Sequence, residues 1–193
     1  MILAIARRAW SVVSRPREAW PGIRAERLAP LALIVLYVVP LSLLPAVAWI
    51  IGVLRGGYLI VLPDVGENIP LAHIFKSGAL LVLASIFSVA VLAGVFWLLA
   101  PLYGVRRNIN DAFKVAAYGT TPMWVAGPVL IVPTLTLVMA AATLHALYLY
   151  VSGLEDVFGV SSSDAAEFVG VSMVVLIALS ILFGALLSTW GVL

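Results

Sequence analysis

The chain has 193 residues, of which 64% are hydrophobic and only 10% are charged, and its formal net charge is +2. A soluble domain carries about 25% charged residues, so this composition excludes a soluble fold and requires a bilayer to cover the apolar surface. The absence of cysteine excludes disulfides, thiol chemistry and thiolate metal sites. The composition therefore predicts an all-α, polytopic membrane protein.

Residues 1–29 form a basic segment before the first long apolar stretch. Met1–Val13 has the pattern of an amphipathic helix that lies in the headgroup region, with its arginines toward anionic lipid headgroups. Its apolar side holds Ile2, Leu3, Ala6, Ala9, Trp10 and Val13, and its polar side holds Arg7, Ser11, Ser14 and Glu18. A signal peptide is the alternative, but its apolar core would be only Ala9–Val13, which is too short. We therefore expect this helix to be retained.

Residues 30–193 are predicted to form a bundle of five transmembrane helices. The predicted spans are about 31–54, 78–102, 112–132, 134–151 and 168–192. The first is uncharged and long enough, at about 1.5 Å per residue, to cross a hydrocarbon core of roughly 30 Å.

Prolines interrupt the first and third predicted spans, at Pro40 and Pro45 and at Pro122 and Pro128. A proline inside a helix frees a backbone carbonyl, which a neighbouring group must satisfy at membrane depth. Two alternatives follow. The breaks are kinks sealed by the hydroxyls of Thr120 and Thr121, or they line a polar cavity as in broken-helix transporters.

Small residues recur at four-residue spacing on the second and fifth predicted spans, a pattern that lets membrane helices approach closely. They are Ala84, Ser88, Ala90 and Gly94 on the second span and Ser180, Gly184 and Ser188 on the fifth. This pattern fits either a homo-oligomer or packing within one chain.

The distribution of lysine and arginine predicts the orientation in a cell (inner) membrane. Six arginines precede the first span, and Arg106, Arg107 and Lys114 follow the second, whereas the opposite loops hold only Arg55 and Lys76. Positive residues concentrate on the cytosolic side of membrane proteins. With five spans, the N-terminus is therefore expected in the cytosol and the C-terminus outside.

Opposite charges lie on the same predicted face. The N-terminal segment has a net charge of +4, and the loop with Glu155, Asp156, Asp164 and Glu167 has a net charge of −4. We hypothesise that the two dock on each other when the basic segment is not on anionic lipid; two independently solvated faces are the alternative.

Residues that carry chemistry are sparse within the spans. No charged residue lies near the middle of a span, where a charge costs about 3 kcal/mol. His145 is the only histidine in a span and is expected to make a helix-to-helix hydrogen bond, and Lys114 is expected to reach outward to water. Ser161–Asp164 is typical of a helix N-cap. We therefore predict no enzyme, no cofactor, no metal site and no nucleic-acid partner.

Four segments carry a family resemblance: SRPREAWPGIRAE, LYVVPLSLLPAVAWIIG, NINDAFKVAAYGTTPMWVAG and LYLYVSGLEDVFGV. In these the chain resembles the Yip-domain family of five-span membrane proteins, in its bacterial and archaeal form. The resemblance implies a five-helix bundle with a cytosolic N-terminus. It implies no established activity for this form.

Eukaryotic relatives in that family are associated with Rab-type small GTPases and with vesicle traffic between the endoplasmic reticulum and the Golgi. They carry an Asp-Leu-Tyr-Gly-Pro-like motif before the first span. Here the segment before the first span holds no such motif, and Pro101–Gly104 is only a partial echo elsewhere. The GTPase-binding role is therefore not carried over.

Two functions remain. The first is a non-enzymatic protein that organises membrane or partner proteins through its cytosolic face. The second is a passive small-solute or lipid transporter built on the proline-broken spans. The candidate functional residues are Arg106, Arg107, Asp111, Lys114, Tyr118, Thr121 and Pro122.

Overall fold

A computed structural model describes residues 2–56, 69–135 and 137–189, and the side chains as far as residue 182 apart from that of residue 133. These described residues are helical, with short connections and no strand. The α-helices are α1 Ile2–Ser14, α2 Pro16–Ala25, α3 Pro30–Leu33, α4 Val39–Leu54, α5 Leu71–Leu99, α6 Ile109–Gly119, α7 Thr121–Ala126, α8 Leu137–Gly153 and α9 Ser162–Thr189.

Several helices continue into tighter or wider turns. A π-helical turn, Ile34–Val38, joins α3 to α4 just before Pro40, and a second one, Leu154–Phe158, extends α8. Short 3₁₀ segments comprise Ala100–Tyr103, Gly127–Ile131 and Pro133–Leu135.

Four helices in the described residues are long and apolar enough to cross a membrane. They are Pro30–Leu54, Leu71–Tyr103, Leu137–Phe158 and Ser162–Leu182. They correspond to the first, second, fourth and fifth predicted spans, although the second begins at Leu71 instead of about residue 78. The fifth begins at Ser162 because Ser161 Oγ accepts a hydrogen bond of 3.2 Å from the Asp164 amide, which confirms the predicted N-cap. Predicted span residues 190–192 lie outside the described residues.

The third predicted span, residues 112–132, is not one continuous helix. It consists of α6, α7 and the 3₁₀ segment Gly127–Ile131, and none of these reaches the length of a span. The predicted interruptions are confirmed, since Pro122 lies in the first turn of α7 and Pro128 lies in the 3₁₀ segment. A proline has no amide hydrogen to donate, so it fits the first turn of a helix and ends the one before it.

Three glycines let these broken pieces lie close to their neighbours. A Cβ on Gly119 would overlap the ring of Tyr150, and one on Gly127 would lie 2.7 Å from the Cβ of Pro45. A Cβ on Gly153 would lie 2.7 Å from the indole ring of Trp20. These approaches bring α6 against α8, the 3₁₀ segment Gly127–Ile131 against α4, and α8 against α2.

The end of the bundle that holds residues 100–111, where α5 ends and α6 begins, is called here the α5–α6 end. The N-terminal helices α1 and α2 pack beside it, against α6, α7 and α8. Their largest buried side chains are Trp20 and Ile23, both fully buried. The core continues with Phe96 and Phe168, whose rings meet edge to face at 5.8 Å.

Candidate functional site

The third predicted span begins near the N-terminus of α6, beside the candidate residues Asp111 and Lys114. Asn108 caps this helix, because its Oδ1 accepts hydrogen bonds from the amides of Asn110 at 3.0 Å and Asp111 at 3.4 Å. Its Nδ2 also donates to Asp111 Oδ2 at 2.6 Å. The Asp111 carboxylate is thus held in a fixed position at the first turn.

Lys114 lies one turn further along α6 and is only 4% exposed. Its Nζ donates to Asp111 Oδ1 at 3.0 Å and to the carbonyl of Arg24 at 3.1 Å. The prediction that Lys114 reaches outward to water is therefore wrong. The ammonium is satisfied inside the protein and ties α6 to the end of α2.

Arg106 and Arg107 are exposed in the connection that precedes α6. The Arg107 guanidinium lies 4.9 Å from the ring centroid of Trp97, a cation–π contact. In the part of the chain that the structure describes, no ion pair links either arginine to Asp111.

A polar groove of about 560 Å³ opens at the α5–α6 end. One wall is the stretch 24–29 after α2, and the other is the start of α6. The polar side chains lining it are Arg24, Glu26, Arg27, Asn108, Asn110, Asp111 and Lys114. Of the predicted candidates, the structure brings Asp111 and Lys114 into this groove.

Tyr118 belongs to a cluster of polar side chains behind the groove. Its hydroxyl donates to Glu26 Oε2 at 2.9 Å, and the Glu26 carboxylate forms an ion pair with Arg8 of α1. The Arg8 guanidinium also lies 5.8 Å from the centroid of the Tyr118 ring. One carboxylate thus joins α1, the stretch after α2, and α6.

Thr121 extends this cluster toward the middle of the bundle. It is fully buried and shares a hydrogen bond of 2.9 Å with the Tyr37 hydroxyl. The Tyr37 ring packs at 4.6 Å from that of Tyr118. We call Arg8, Glu26, Tyr37, Tyr118 and Thr121 the polar lock, since each hydrogen bond or ion pair in it joins different parts of the fold.

In the described residues neither threonine hydroxyl bonds the carbonyl that Pro122 frees, which is that of Tyr118, four residues earlier. Thr120 Oγ1 donates instead to the Ala116 carbonyl at 2.7 Å, which also accepts a hydrogen bond from the Thr120 amide. Thr121 pairs with Tyr37 instead of with a carbonyl. Pro122 itself is buried in the first turn of α7.

Sequence reasoning missed Arg8, Glu26 and Tyr37. Tyr37 is the only tyrosine in the first predicted span, and Glu26 stands among arginines just before it. A polar group at membrane depth needs a partner, so the hydroxyl of Tyr37 was the sequence feature that could have indicated a buried hydrogen bond here. Nothing in the spacing indicated that Tyr118 and Thr121 would supply the contacts.

The N-terminal segment docks on the bundle, but not through the predicted charges. Trp20 Nε1 donates to Ser152 Oγ at 2.9 Å, and α2 packs on the π-helical turn Leu154–Phe158. In the described ranges no ion pair joins its arginines to Glu155, Asp156, Asp164 or Glu167. Docking is therefore apolar contact plus hydrogen bonding.

His145 confirms the expected helix-to-helix hydrogen bond. Its Nε2 lies 2.9 Å from the carbonyl oxygen of Val13, in the last turn of α1. Because a carbonyl only accepts, Nε2 carries the proton in this contact. Among the described residues no three His, Cys, Asp or Glu side chains are grouped so that they could hold a metal ion.

The face that α1 turns to the protein differs from the predicted apolar side. Ala9 and Val12 are buried, with Ile5 partly buried beside them. Leu3 and Trp10, two residues of the predicted apolar side, are 81% and 69% exposed. The helix therefore presents a second apolar face away from the bundle.

A separate cavity of about 530 Å³ lies in the middle of the bundle, among α5, α7, α8 and α9. We call it the mid-bundle cavity. Neither it nor the polar groove is lined by Tyr118 or Thr121.

Comparison with known families supplies the remaining finding. Residues 10–186 match the Yip1 domain, which covers the four candidate spans, the broken third stretch and most of the N-terminal segment. Comparison with curated proteins gives no match. Comparison with solved structures gives no match either. The chain belongs to the Yip1 domain family of membrane proteins.

Proposed function

We propose that this protein is a non-enzymatic membrane protein that organises the bilayer, or partner proteins at its surface, through its α5–α6 end. Membership of the Yip1 domain family supports a membrane protein without catalytic chemistry. We further propose five crossings, with the stretch from α6 to Leu135 as the third. The cytosol then contains the N-terminus and the α5–α6 end, in a cell (inner) membrane, and the C-terminus lies outside.

The observation that carries the proposal is the contrast between a locked centre and an open groove. Tyr118 and Thr121, two candidate functional residues in the proline-broken third span, are buried and hydrogen-bonded to Glu26 and Tyr37. The groove beside them is open at the α5–α6 end. A surface groove suits binding, whereas a conduit needs a polar path through the bundle.

Four arginines that form no ion pair within the described part of the chain belong to this part of the protein, Arg24 and Arg27 in the wall of the groove and Arg106 and Arg107 in the connection before α6. No carboxylate in the described residues forms an ion pair with Arg24, Arg27, Arg106 or Arg107. Basic residues next to a cytosolic leaflet attract anionic lipids by about 1 kcal/mol each. The exposed apolar face of α1, with Trp10, adds a surface suited to the headgroup boundary. Anionic headgroups are therefore the partner that we propose at this end.

The test compares lipid selectivity at the two ends of the bundle. The protein is reconstituted in vesicles of phosphatidylcholine with a minority of phosphatidylglycerol, and spin-labelled lipids report the fraction immobilised on the protein. We expect enrichment of phosphatidylglycerol around the wild type. The combined variant Arg24→Gln, Arg27→Gln, Arg106→Gln and Arg107→Gln should lose it, whereas Arg55→Gln, at the opposite end, should keep it. Equal selectivity in all three proteins would contradict the proposal.

The second candidate, a passive transporter of lipid or small solutes, is favoured by the mid-bundle cavity. The same vesicles decide between the two functions, since lipid scrambling and solute leak can be followed in parallel. We expect rates equal to those of protein-free vesicles. Transfer above that level by folded protein would favour the transporter over the organising function.

A further inference from the structure

We propose that the mid-bundle cavity holds the hydrocarbon tail of a membrane lipid. This inference goes beyond the proposed function, because the cavity lies away from the groove and shares no lining residue with it. Its wall is mainly apolar and includes Phe87, Leu92, Met123, Trp124, Met139, Leu147, Met173 and Leu176. None of the described side chains that line it is charged.

The hydroxyl groups of the wall have already used their protons. Four hydroxyls donate to the carbonyl four residues earlier in their own helix, at 2.7–2.9 Å. They belong to Ser85, Ser88, Thr143 and Ser180. Thr120 donates to the Ala116 carbonyl, so the bond of 2.8 Å between Tyr150 and Thr120 uses the proton of Tyr150.

Among the described lining residues the hydroxyls offer oxygen lone pairs, and the indole N–H of Trp124 is a single uncharged donor. Phosphate and carboxylate groups are bound by several N–H or O–H donors and by cations, and no described residue of the wall supplies a cation. A charged headgroup is therefore excluded from the cavity. A hydrocarbon tail makes no demand for donors and fits the wall chemically.

The position of the cavity favours the same occupant. Its wall comes from helices that are long and apolar enough to cross a membrane, together with α7. Ala84 and Ser88 of α5 and Thr143 of α8 are exposed at its edge, so it opens on the outside of the bundle. The nearby outer surface carries Leu83 and Leu144, which are 60% and 69% exposed. In a bilayer this surface meets acyl chains.

The size also selects a tail over a helix of a second copy. The volume, about 530 Å³, lies in the range of about 300–1,000 Å³ that small-molecule sites occupy. A helix about 10 Å wide that rises about 1.5 Å per residue would fill it in little more than one turn. Flexible methionines on three walls, Met123, Met139 and Met173, suit a tail of variable shape.

The small residues acquire a role in this arrangement. Ala84, Ser88 and Ser180 line the cavity instead of bringing two helices together, and a Cβ on Gly94 would have no neighbour within 4 Å. Gly184 and Ser188 of the same predicted stripe lie beyond the described side chains. The stripe on α5 thus leaves space within one chain.

Photo-crosslinking tests the proposal on the full chain in vesicles. A phosphatidylcholine that carries a diazirine in the middle of one acyl chain is added to the vesicles, which are then irradiated. The labelled peptides are mapped by mass spectrometry. We expect labelling at Met123, Met139 and Met173 severalfold above that at the exposed residue Leu98. Ser88→Phe should fill the cavity and reduce this excess to the level at Leu98. Leu83→Phe, on the outer face of α5, should leave it unchanged.

A second variant, Ser180→Phe, fills the cavity from α9 and should give the same loss of excess labelling. Agreement between the two variants separates a filled cavity from the misfolding of either one. Labelling at the three methionines no higher than at Leu98 in the wild type would overturn the proposal. Excess labelling that persists in both filled variants would overturn it as well. The chain lacks cysteine, so Ser88→Cys supplies a unique thiol. An efficient disulfide-linked dimer of this variant in vesicles would show that a second copy covers the opening, which also overturns the proposal.

Discussion

The polar lock and the mid-bundle cavity both contain hydroxyl groups within an apolar bundle, but their hydrogen bonds run differently. In the lock, Tyr118 donates to Glu26 and Tyr37 pairs with Thr121, so each bond joins different elements. Around the cavity, Ser88 and Thr143 bond to carbonyls of their own helices, although Tyr150 of α8 bonds across to Thr120.

The difference explains why one region is closed and the other is open. A bond between elements fixes their separation, and at membrane depth it contributes about 1 kcal/mol. A bond within one helix satisfies the hydroxyl without fixing any neighbour. The lock therefore holds α1, α6, α7 and the π-helical turn Ile34–Val38 together, whereas the α5 and α8 walls of the cavity are not held together by the hydroxyls of Ser88 and Thr143.

The largest loss of stability is expected for a substitution where the N-terminal segment packs on the bundle beside the lock. Trp20→Ala removes a fully buried indole that packs on Gly153 and donates to Ser152. We expect a loss of about 3–5 kcal/mol in the free energy of unfolding, since a large cavity remains and the Ser152 hydroxyl, which keeps its bond to the Leu149 carbonyl, loses its donor. Denaturant titration of the protein in micelles measures it.

Trp10→Ala is the matched control, because Trp10 belongs to the same segment and is 69% exposed. Its replacement should change the free energy of unfolding by about 0.5 kcal/mol or less. Equal losses in the two variants would show that Trp20 does not anchor the segment to the bundle.

The next effect concerns the carboxylate at the centre of the lock. Glu26→Ala leaves the Arg8 guanidinium without its ion pair and the Tyr118 hydroxyl without its acceptor. The Glu26 side chain is 18% exposed, so solvent replaces these contacts only in part. We expect a loss of about 2–3 kcal/mol in the free energy of unfolding.

Glu18→Ala provides the control for Glu26→Ala in the same segment. Glu18 pairs with Arg15 at 3.7 Å, and both side chains are more than two-thirds exposed. Exposed pairs of this kind contribute about 0.5 kcal/mol or less. If Glu18→Ala were as destabilising as Glu26→Ala, the lock would be no more than a surface ion pair.

Much of the fold could be predicted from sequence because apolar length and proline position act locally. The first span runs from Pro30 to Leu54 where the uncharged stretch 31–54 predicted it, and the breaks at Pro122 and Pro128 are present. The third stretch is not a helix of spanning length, because the glycine at 119 and the prolines divide it into short pieces.

The site was less predictable because its contacts join residues far apart in the chain. Tyr118 and Lys114 were singled out from their own segment, but their partners Glu26 and Arg24 lie about 90 residues earlier. Lys114 was expected to reach water because its nearest sequence neighbours offered only Asp111. The carbonyl of Arg24 became available only when α2 packed beside α6.

The smallest predicted changes in the free energy of unfolding distinguish a hydrogen bond between two elements from a hydrogen bond within a single helix. Tyr37→Phe removes the hydroxyl that pairs with the fully buried Thr121 and leaves the threonine without its partner in the π-helical turn Ile34–Val38. We expect a loss of about 1 kcal/mol in the free energy of unfolding. Denaturant titration of the protein in micelles measures it.

Ser88→Ala removes a hydroxyl of the cavity wall in the same apolar surroundings. Its only hydrogen bond is to Ala84 of its own helix, and alanine is a better helix former than serine, so the change should lie within about 0.5 kcal/mol of zero. A loss for Ser88→Ala as large as that for Tyr37→Phe would mean that the cavity hydroxyls also hold helices together. The openness of the cavity would then need a cause other than the direction of its hydrogen bonds.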